Sequence, residues 1–258
     1  MQIHNPYPWY DSNWLAKYTY ARQLIEREYP DVLSGFIDAF EPLRTRPDFE
    51  VVQFERVFDD RAMRGIEMVI DNLRAAELET HETLDFRRFI VHDHPEITEL
   101  QATLVDLVSE GAGEPVEPAY NFLSLYSPGG VCEVHLDTPR AKWTLDLCVR
   151  QSQPWPIYFS QVVPWPESGE GEGEGWQHAI RSSPRHQFRA FSMEPANAIL
   201  FSGSSQWHYR DRLPANLGHS FCELVFFHFI PVGMDELLRP RNWARLFGIA
   251  ELDVLAER

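Results

Sequence analysis

The densest run of chemically able side chains lies between Tyr126 and Asp137, and reads Tyr-Ser-Pro-Gly-Gly-Val-Cys-Glu-Val-His-Leu-Asp. An apolar run ending in Tyr126 enters a Pro-Gly-Gly turn, and an alternating segment returns carrying His135 and Asp137. Two residues apart on a strand, these side chains project to one face. An imidazole and a carboxylate so placed can chelate one metal ion, but they need a third ligand. His208 follows the run Leu200-Phe201-Ser202-Gly203, a strand-like segment and a glycine turn that could deliver it to the same point. Two histidines and one carboxylate on one face of an octahedron leave three positions open. Two of these suit a bidentate keto acid and the third suits O₂. The same residues also admit a plain His135–Asp137 pair without metal, or a site for another divalent ion.

The spacing Tyr-x-Pro-Gly-Gly-x-x-x-x-His-x-Asp, met by Tyr126, Pro128, Gly129, Gly130, His135 and Asp137, resembles that of the Fe(II)- and 2-oxoglutarate-dependent dioxygenases, most nearly their prolyl-4-hydroxylase-like branch. The resemblance spans residues 118–230. It implies a mainly β core with α elements: a double-stranded β-helix, or jelly roll, flanked by N-terminal helices. It implies that His135, Asp137 and His208 bind Fe(II), that 2-oxoglutarate is co-substrate, and that O₂ is consumed. Hydroxylation of a small molecule with release of succinate and CO₂ would follow. Asp137 speaks against halogenation, which needs a small residue there so that chloride can take the place. The competing class is a catalytically silent jelly roll that binds a ligand or serves as a scaffold.

The chain departs from this family where the far carboxylate of 2-oxoglutarate should be anchored. The family places an Arg or Lys downstream of the distal histidine; here that place holds Gly218, then His219 and Ser220. Arg210, Arg212, Arg150 and His219 are the substitutes, and a guanidinium suits a carboxylate best. Arg210 ranks first, since two residues past His208 it shares that residue's face if the strand continues. Tyr126 could donate its hydroxyl to the same carboxylate. Arg140, in the Thr138-Pro139-Arg140 loop, could meet an anionic substrate group or simply be solvated. Trp207 reads as a core wedge. Between Trp143 and Arg150, the face of Thr144, Asp146, Cys148 and Arg150 is the more polar and the natural pocket lining. Glu223 and His228 have opposite parities, so at most one faces inward. His92 and His94 read as solvated.

These residues require elements to hold them. Residues 1–117 read as a mostly helical layer, with helices over Trp14–Glu28, Asp59–Glu79 and Pro95–Glu110, the last capped near Gly111-Ala112-Gly113. Short strands are expected at Phe49–Phe54 and Leu84–Val91. Residues 118–233 break into short apolar or alternating runs at Tyr120–Tyr126, Val131–Asp137, Trp143–Val149, Ile157–Val163, Gln187–Phe191, Ala198–Ser202 and Ser220–Ile230, the spacing of a sandwich or barrel. The acidic, glycine-rich run Glu167–Gly175 reads as a solvated connection. Residues 234–258 read as a broken helical tail interrupted by Pro240.

Composition narrows the partners. Lys plus Arg number 23 against 39 Asp plus Glu, a formal net charge of −16, which repels phosphate backbones and argues against nucleic acid. No apolar stretch is long enough to span a membrane, and Met1–Trp9 lacks the basic start and apolar run of a secretory signal, so a cytoplasmic address is expected. Cys132, Cys148 and Cys222 form no metal-knuckle spacing and fit reduced thiols.

Overall fold

Two antiparallel sheets face each other across the barrel interior. In the computed structural model, residues 4–167, 173–215 and 219–256 are described. Their strands are β1 (Val52–Phe54), β2 (Arg88–His92), β3 (Val116–Tyr126), β4 (Cys132–His135), β5 (Trp143–Gln151), β6 (Ile157–Phe159), β7 (Arg189–Phe191), β8 (Ala198–Phe201), β9 (His208–Arg210) and β10 (Cys222–Pro231). One sheet runs β1-β8-β5-β10-β3-β2 and the other β4-β9-β6-β7, with antiparallel pairing throughout. This is the double-stranded β-helix that the resemblance implies, within the sandwich or barrel class that the strand spacing predicts. β1 and β2, which precede the barrel in sequence, extend the larger sheet at its two edges. β9 has three residues, too few for a period of two to be read from sequence.

The helices are α1 (Asn13–Glu28), α2 (Leu33–Ala39), α3 (Asp60–Asp71), α4 (Pro95–Ala102), α5 (Val105–Ala112), α6 (Trp176–Ser182) and α7 (Trp243–Phe247). α3 begins where the Asp59 carboxylate accepts from the Ala62 amide at 2.8 Å. It stops well short of Glu79, because the Asn72 side chain donates to the Met68 carbonyl at 2.7 Å and closes the last turn. The single helix expected over Pro95–Glu110 is two helices, parted at Thr103, whose hydroxyl bonds back to the Leu100 carbonyl at 2.7 Å. Gly113, at φ +75°, caps α5 in the left-handed conformation that glycine adopts without strain. Most of the acidic connection, residues 168–172, lies outside the described residues.

Burial assigns each layer a place. Met63, Ile66 and Val69 of α3 and Val108 of α5 pack with Leu145, Leu147, Val225 and Phe227 on the outer face of the larger sheet. Trp14, Phe36, Phe40 and Trp243 form an aromatic cluster with Val134, Leu136 and Trp207 on the back of the smaller sheet. Trp207 is a core wedge, as the sequence reading expects. Trp155, Phe159, Cys148 and Leu224 fill one end of the barrel, and the other end stays open.

One irregularity shapes that open end. Between His228 and Phe229 the register of β10 against β3 slips, with His228 opposite Tyr120 and Phe229 opposite Pro118. Proline has no amide to give a ladder, and a bulge is where a sheet tolerates it. The buried Gln101 of α4 reaches into the gap and donates to the carbonyls of Tyr120 (2.9 Å) and His228 (2.8 Å), while Asn121 donates to Gln101 Oε1 (2.9 Å). Gln101→Ala leaves these buried carbonyls unmet, and at about 1–3 kcal/mol for an orphaned polar group it should lower stability by about 2–4 kcal/mol. Urea unfolding followed by circular dichroism checks this; an unchanged midpoint would show that water replaces Gln101 without penalty.

Candidate metal centre

His135 closes β4, where a bulge sets Cys132 opposite Arg210 and His135 opposite His208. Alternation then sends Val134 and Leu136 into the apolar layer behind the sheet and His135 and Asp137 into the barrel. His208 opens β9 directly across. His135 Nε2 lies 3.3 Å and His208 Nε2 3.6 Å from the same oxygen, Asp137 Oδ1. One ligand atom from each of the three residues falls within 4.8 Å of the others. Both rings are oriented from behind. His135 Nδ1 sits 2.7 Å from the Glu133 carbonyl and His208 Nδ1 3.0 Å from the Gln206 carbonyl. Each Nδ1 therefore carries a proton as donor and each Nε2 faces Asp137; despite burial, Cys132 and Asp137 raise the His135 imidazole well above its ordinary value.

The turn before His208 is built around this carboxylate. A Cβ on Gly203 would overlap Asp137 Oδ2 and stand 2.6 Å from the Ala141 carbonyl, so only glycine fits. The Asp137 amide donates to the Gly203 carbonyl at 2.9 Å, and the Gly203 amide to the Lys142 carbonyl at 3.1 Å. Gln206 holds the rest of the turn, accepting from the Ser202 amide (2.9 Å) and donating to the Ser160 carbonyl (3.0 Å). Burial alone would raise the Asp137 carboxyl, but His208 and His135 hold it below its ordinary value. Burial, then His135, pushes His208 down to about 4, which keeps its ring neutral at physiological pH.

A cavity of about 240 Å³ opens onto these three residues. Away from the mouth it meets two arginines. Arg210 continues β9 inward, as its spacing from His208 anticipates, and is almost completely buried. Its guanidinium pairs with the buried Asp146 carboxylate at 2.6 Å and donates to the Trp155 carbonyl. Arg88 of β2 also lines the cavity. It bonds Glu82, and its Nη1 donates to the Tyr126 hydroxyl at 2.8 Å and the Ser124 hydroxyl at 3.3 Å. Tyr126 is thus buried beside both the cavity and a cation.

The other candidate anchors are elsewhere. One extra residue in β5 opposite β10 turns Arg150 to the outer face, where it pairs with Asp71 (2.8 Å) and Glu223 (2.5 Å). Thr144 and Asp146 face inward as that strand's polarity suggests; Arg150 does not. Arg212 bonds the Gly129 carbonyl at 2.8 Å, His219 is exposed, and Gly218 lies outside the described residues. Arg140 is exposed and packs over the Tyr120 ring at 5.2 Å. Of the β10 pair, His228 faces the cavity and Glu223 does not. His92 is half exposed, bonded to Glu79 at 2.7 Å. Sequence reasoning assigned no role to Arg88, Asp11 or Gln206. Arg88 and Asp11 come from segments remote from the motif, and no spacing in the chain points to them.

No family profile matches the sequence, and no curated protein does. Among solved structures, the chain is similar to the non-heme alpha ketoglutarate dependent carbocyclase SnoK from nogalamycin biosynthesis, with TM-score 0.55 and 14% identity over 77% of this chain and 89% of that one. HygX from Streptomyces hygroscopicus, solved with nickel and 2-oxoglutarate bound, gives 0.52 and 12% over 71% and 83%. EctD from S. alaskensis gives 0.51 and 16% over 76% and 75%. At such identities the likeness establishes a shared fold, reached independently of the motif that suggested it.

The fit of Gly203 against Asp137 yields a sharp expectation. Gly203→Ala should weaken divalent-metal binding by ~10- to 100-fold, the usual effect of disturbing the support of a metal ligand. Calorimetric titration with Zn(II), alongside circular dichroism to confirm folding, measures it; wild-type affinity in a folded variant would show that Asp137 does not depend on this turn.

Proposed function

We propose that the chain is an Fe(II)- and 2-oxoglutarate-dependent oxygenase that hydroxylates a small molecule. The observation that carries this reading is the convergence of His135 Nε2, His208 Nε2 and Asp137 Oδ1 on the wall of a cavity. The donor set fits iron: two imidazoles, each able to give its Nε2 lone pair to a metal once unprotonated, and one carboxylate on a single side, with the opposite side facing open space. Iron bound there would couple O₂ activation to decarboxylation of 2-oxoglutarate, leaving succinate and CO₂. The solved relatives with this fold include one holding nickel and 2-oxoglutarate, which supports the co-substrate.

The residues around the centre have separable tasks. His135, Asp137 and His208 hold the metal. Arg210 receives the far carboxylate of 2-oxoglutarate, with Tyr126 and Arg88 completing the pocket. Arg88 supports this assignment, since its Nη2 makes no hydrogen bond among the described residues while its other nitrogens are engaged. A carboxylate entering this apolar surround must be met by a cation, because an unpaired buried charge costs several kcal/mol. Phe122, Phe201 and Phe226 line the cavity and keep water from the reacting centre. At about 240 Å³ the cavity falls below the ~300 Å³ where pockets for drug-sized ligands begin, so the substrate is small.

One observation favours the silent-module reading: Arg210 already has a full counter-charge in Asp146. Succinate formation from 2-oxoglutarate separates the two. Wild-type protein with Fe(II), O₂ and 2-oxoglutarate should form succinate, and His135→Ala, Asp137→Ala and His208→Ala should each abolish it without loss of fold. Arg210→Ala should raise the KM for 2-oxoglutarate by ~10- to 100-fold, about 1.5–3 kcal/mol for a lost charged hydrogen bond, with little change in iron affinity. Arg150→Ala, Arg212→Ala and His219→Ala should leave that KM unchanged. Full succinate formation by all three ligand variants would sink the iron assignment.

A further inference from the structure

The cavity is chemically two-sided. Its cations, Arg88 and Arg210, gather beside Tyr126 and Trp155, where the co-substrate's carboxylate is proposed to go. The groups left for a substrate are of the opposite kind. Asp11, from the segment before α1, lines the cavity with its carboxylate held by one hydrogen bond, from the Thr138 amide to Oδ2 at 3.2 Å. No lysine or arginine among the described residues pairs with it. Glu82 differs, since Arg88 neutralises it.

His228 supplies the second acceptor. It is 3% exposed, lines the same cavity, and its Nε2 is buried with no hydrogen-bond partner. Its Nδ1 stands 3.0 Å from the Thr144 hydroxyl, which itself points to the Ala141 carbonyl. Thr144 is shared between Nδ1 and the more distant Ala141 carbonyl at 3.4 Å; with Nδ1 as the donor to Thr144, the partnerless Nε2 is left as an acceptor. Tyr120 stacks on His228 at 4.2 Å between ring centroids and carries Arg140 5.2 Å over its ring, while Phe122 and Phe226 line the cavity beside them. A carboxylate without a cation, an imidazole without a donor and a lining of aromatic rings together describe a receptor for N–H groups bearing positive charge.

We propose that Asp11 and His228 receive a protonated amine or guanidinium of the substrate, so that the site selects small organic cations. This rests on the oxygenase reading for its reaction, but the cation site stands or falls by binding alone. The chain's net charge of −16 steers cations toward it in the same sense.

The test uses three matched probes, n-butylammonium, n-butanol and butyrate, titrated by calorimetry into protein loaded with Zn(II) and 2-oxoglutarate, and into metal-free protein. n-Butylammonium should bind at least ~10-fold more tightly than either isostere, the scale of one charged hydrogen bond. Asp11→Asn should erase most of that preference, and His228→Phe, which keeps the aromatic stack, should reduce it. Equal binding of n-butylammonium and n-butanol, a preference for butyrate, or an unchanged preference in folded Asp11→Asn would overturn the proposal. Succinate formation by the iron-loaded wild type is read separately. If it fails while the Asp11-dependent preference holds, the oxygenase reading falls and the cation site remains. If it succeeds while no amine preference exists, only the cation site falls.

Discussion

Two backbone carbonyls govern what this fold presents at its open end. Glu133 and Gln206 each take the Nδ1 proton of a histidine two residues on, and so turn the Nε2 atoms of His135 and His208 toward a single Asp137 oxygen. Everything behind the centre serves that alignment. The bulge in β4 sets His135 opposite His208, Gly203 leaves room for the carboxylate, and Gln206 pins the turn before β9. The tryptophan and phenylalanine cluster behind the smaller sheet keeps β4 and β9 from moving relative to each other. A close-packed layer of this kind transmits strain rather than absorbing it.

Charge is distributed with equal economy. Each arginine reaching the cavity has a carboxylate at its back, Asp146 for Arg210 and Glu82 for Arg88. Buried cations without such partners would be too costly to keep, and buried pairs gain little net stability of their own. Their value is in position: two planar donors held at one cavity, Arg88 on the Tyr126 hydroxyl and Arg210 on the Trp155 carbonyl.

How much of this could be read from the chain followed from distance along it. His135 and Asp137 belong to one strand and one turn, so their relation is local and visible in the spacing. His208 was legible because a strand-like run and a glycine turn announce its delivery. The barrel strands showed as runs, apart from β9, whose brevity hides any period. Arg150 was on the wrong face for a physical reason: a single extra residue in β5 reverses the side on which the following side chain emerges. Thr103 and Asn72 ended helices through side-chain bonds to carbonyls that apolar periodicity does not register. Arg88 and Asp11 were invisible because only the closed fold brings β2 and the segment before α1 to the cavity. The role of β2 as an edge of the larger sheet is a tertiary fact with no local mark.

The account stands most directly on whether His135, Asp137 and His208 hold iron with two adjacent positions free for a keto acid. Anaerobic addition of Fe(II) and 2-oxoglutarate to the purified chain, followed by visible absorption, reads that property without O₂ or a known substrate. A metal-to-ligand charge-transfer band should appear that requires both additions, saturates at one iron per chain, and is absent from His208→Ala. A wild-type spectrum with no such band, or an undiminished band in His208→Ala, would contradict the assignment of this centre.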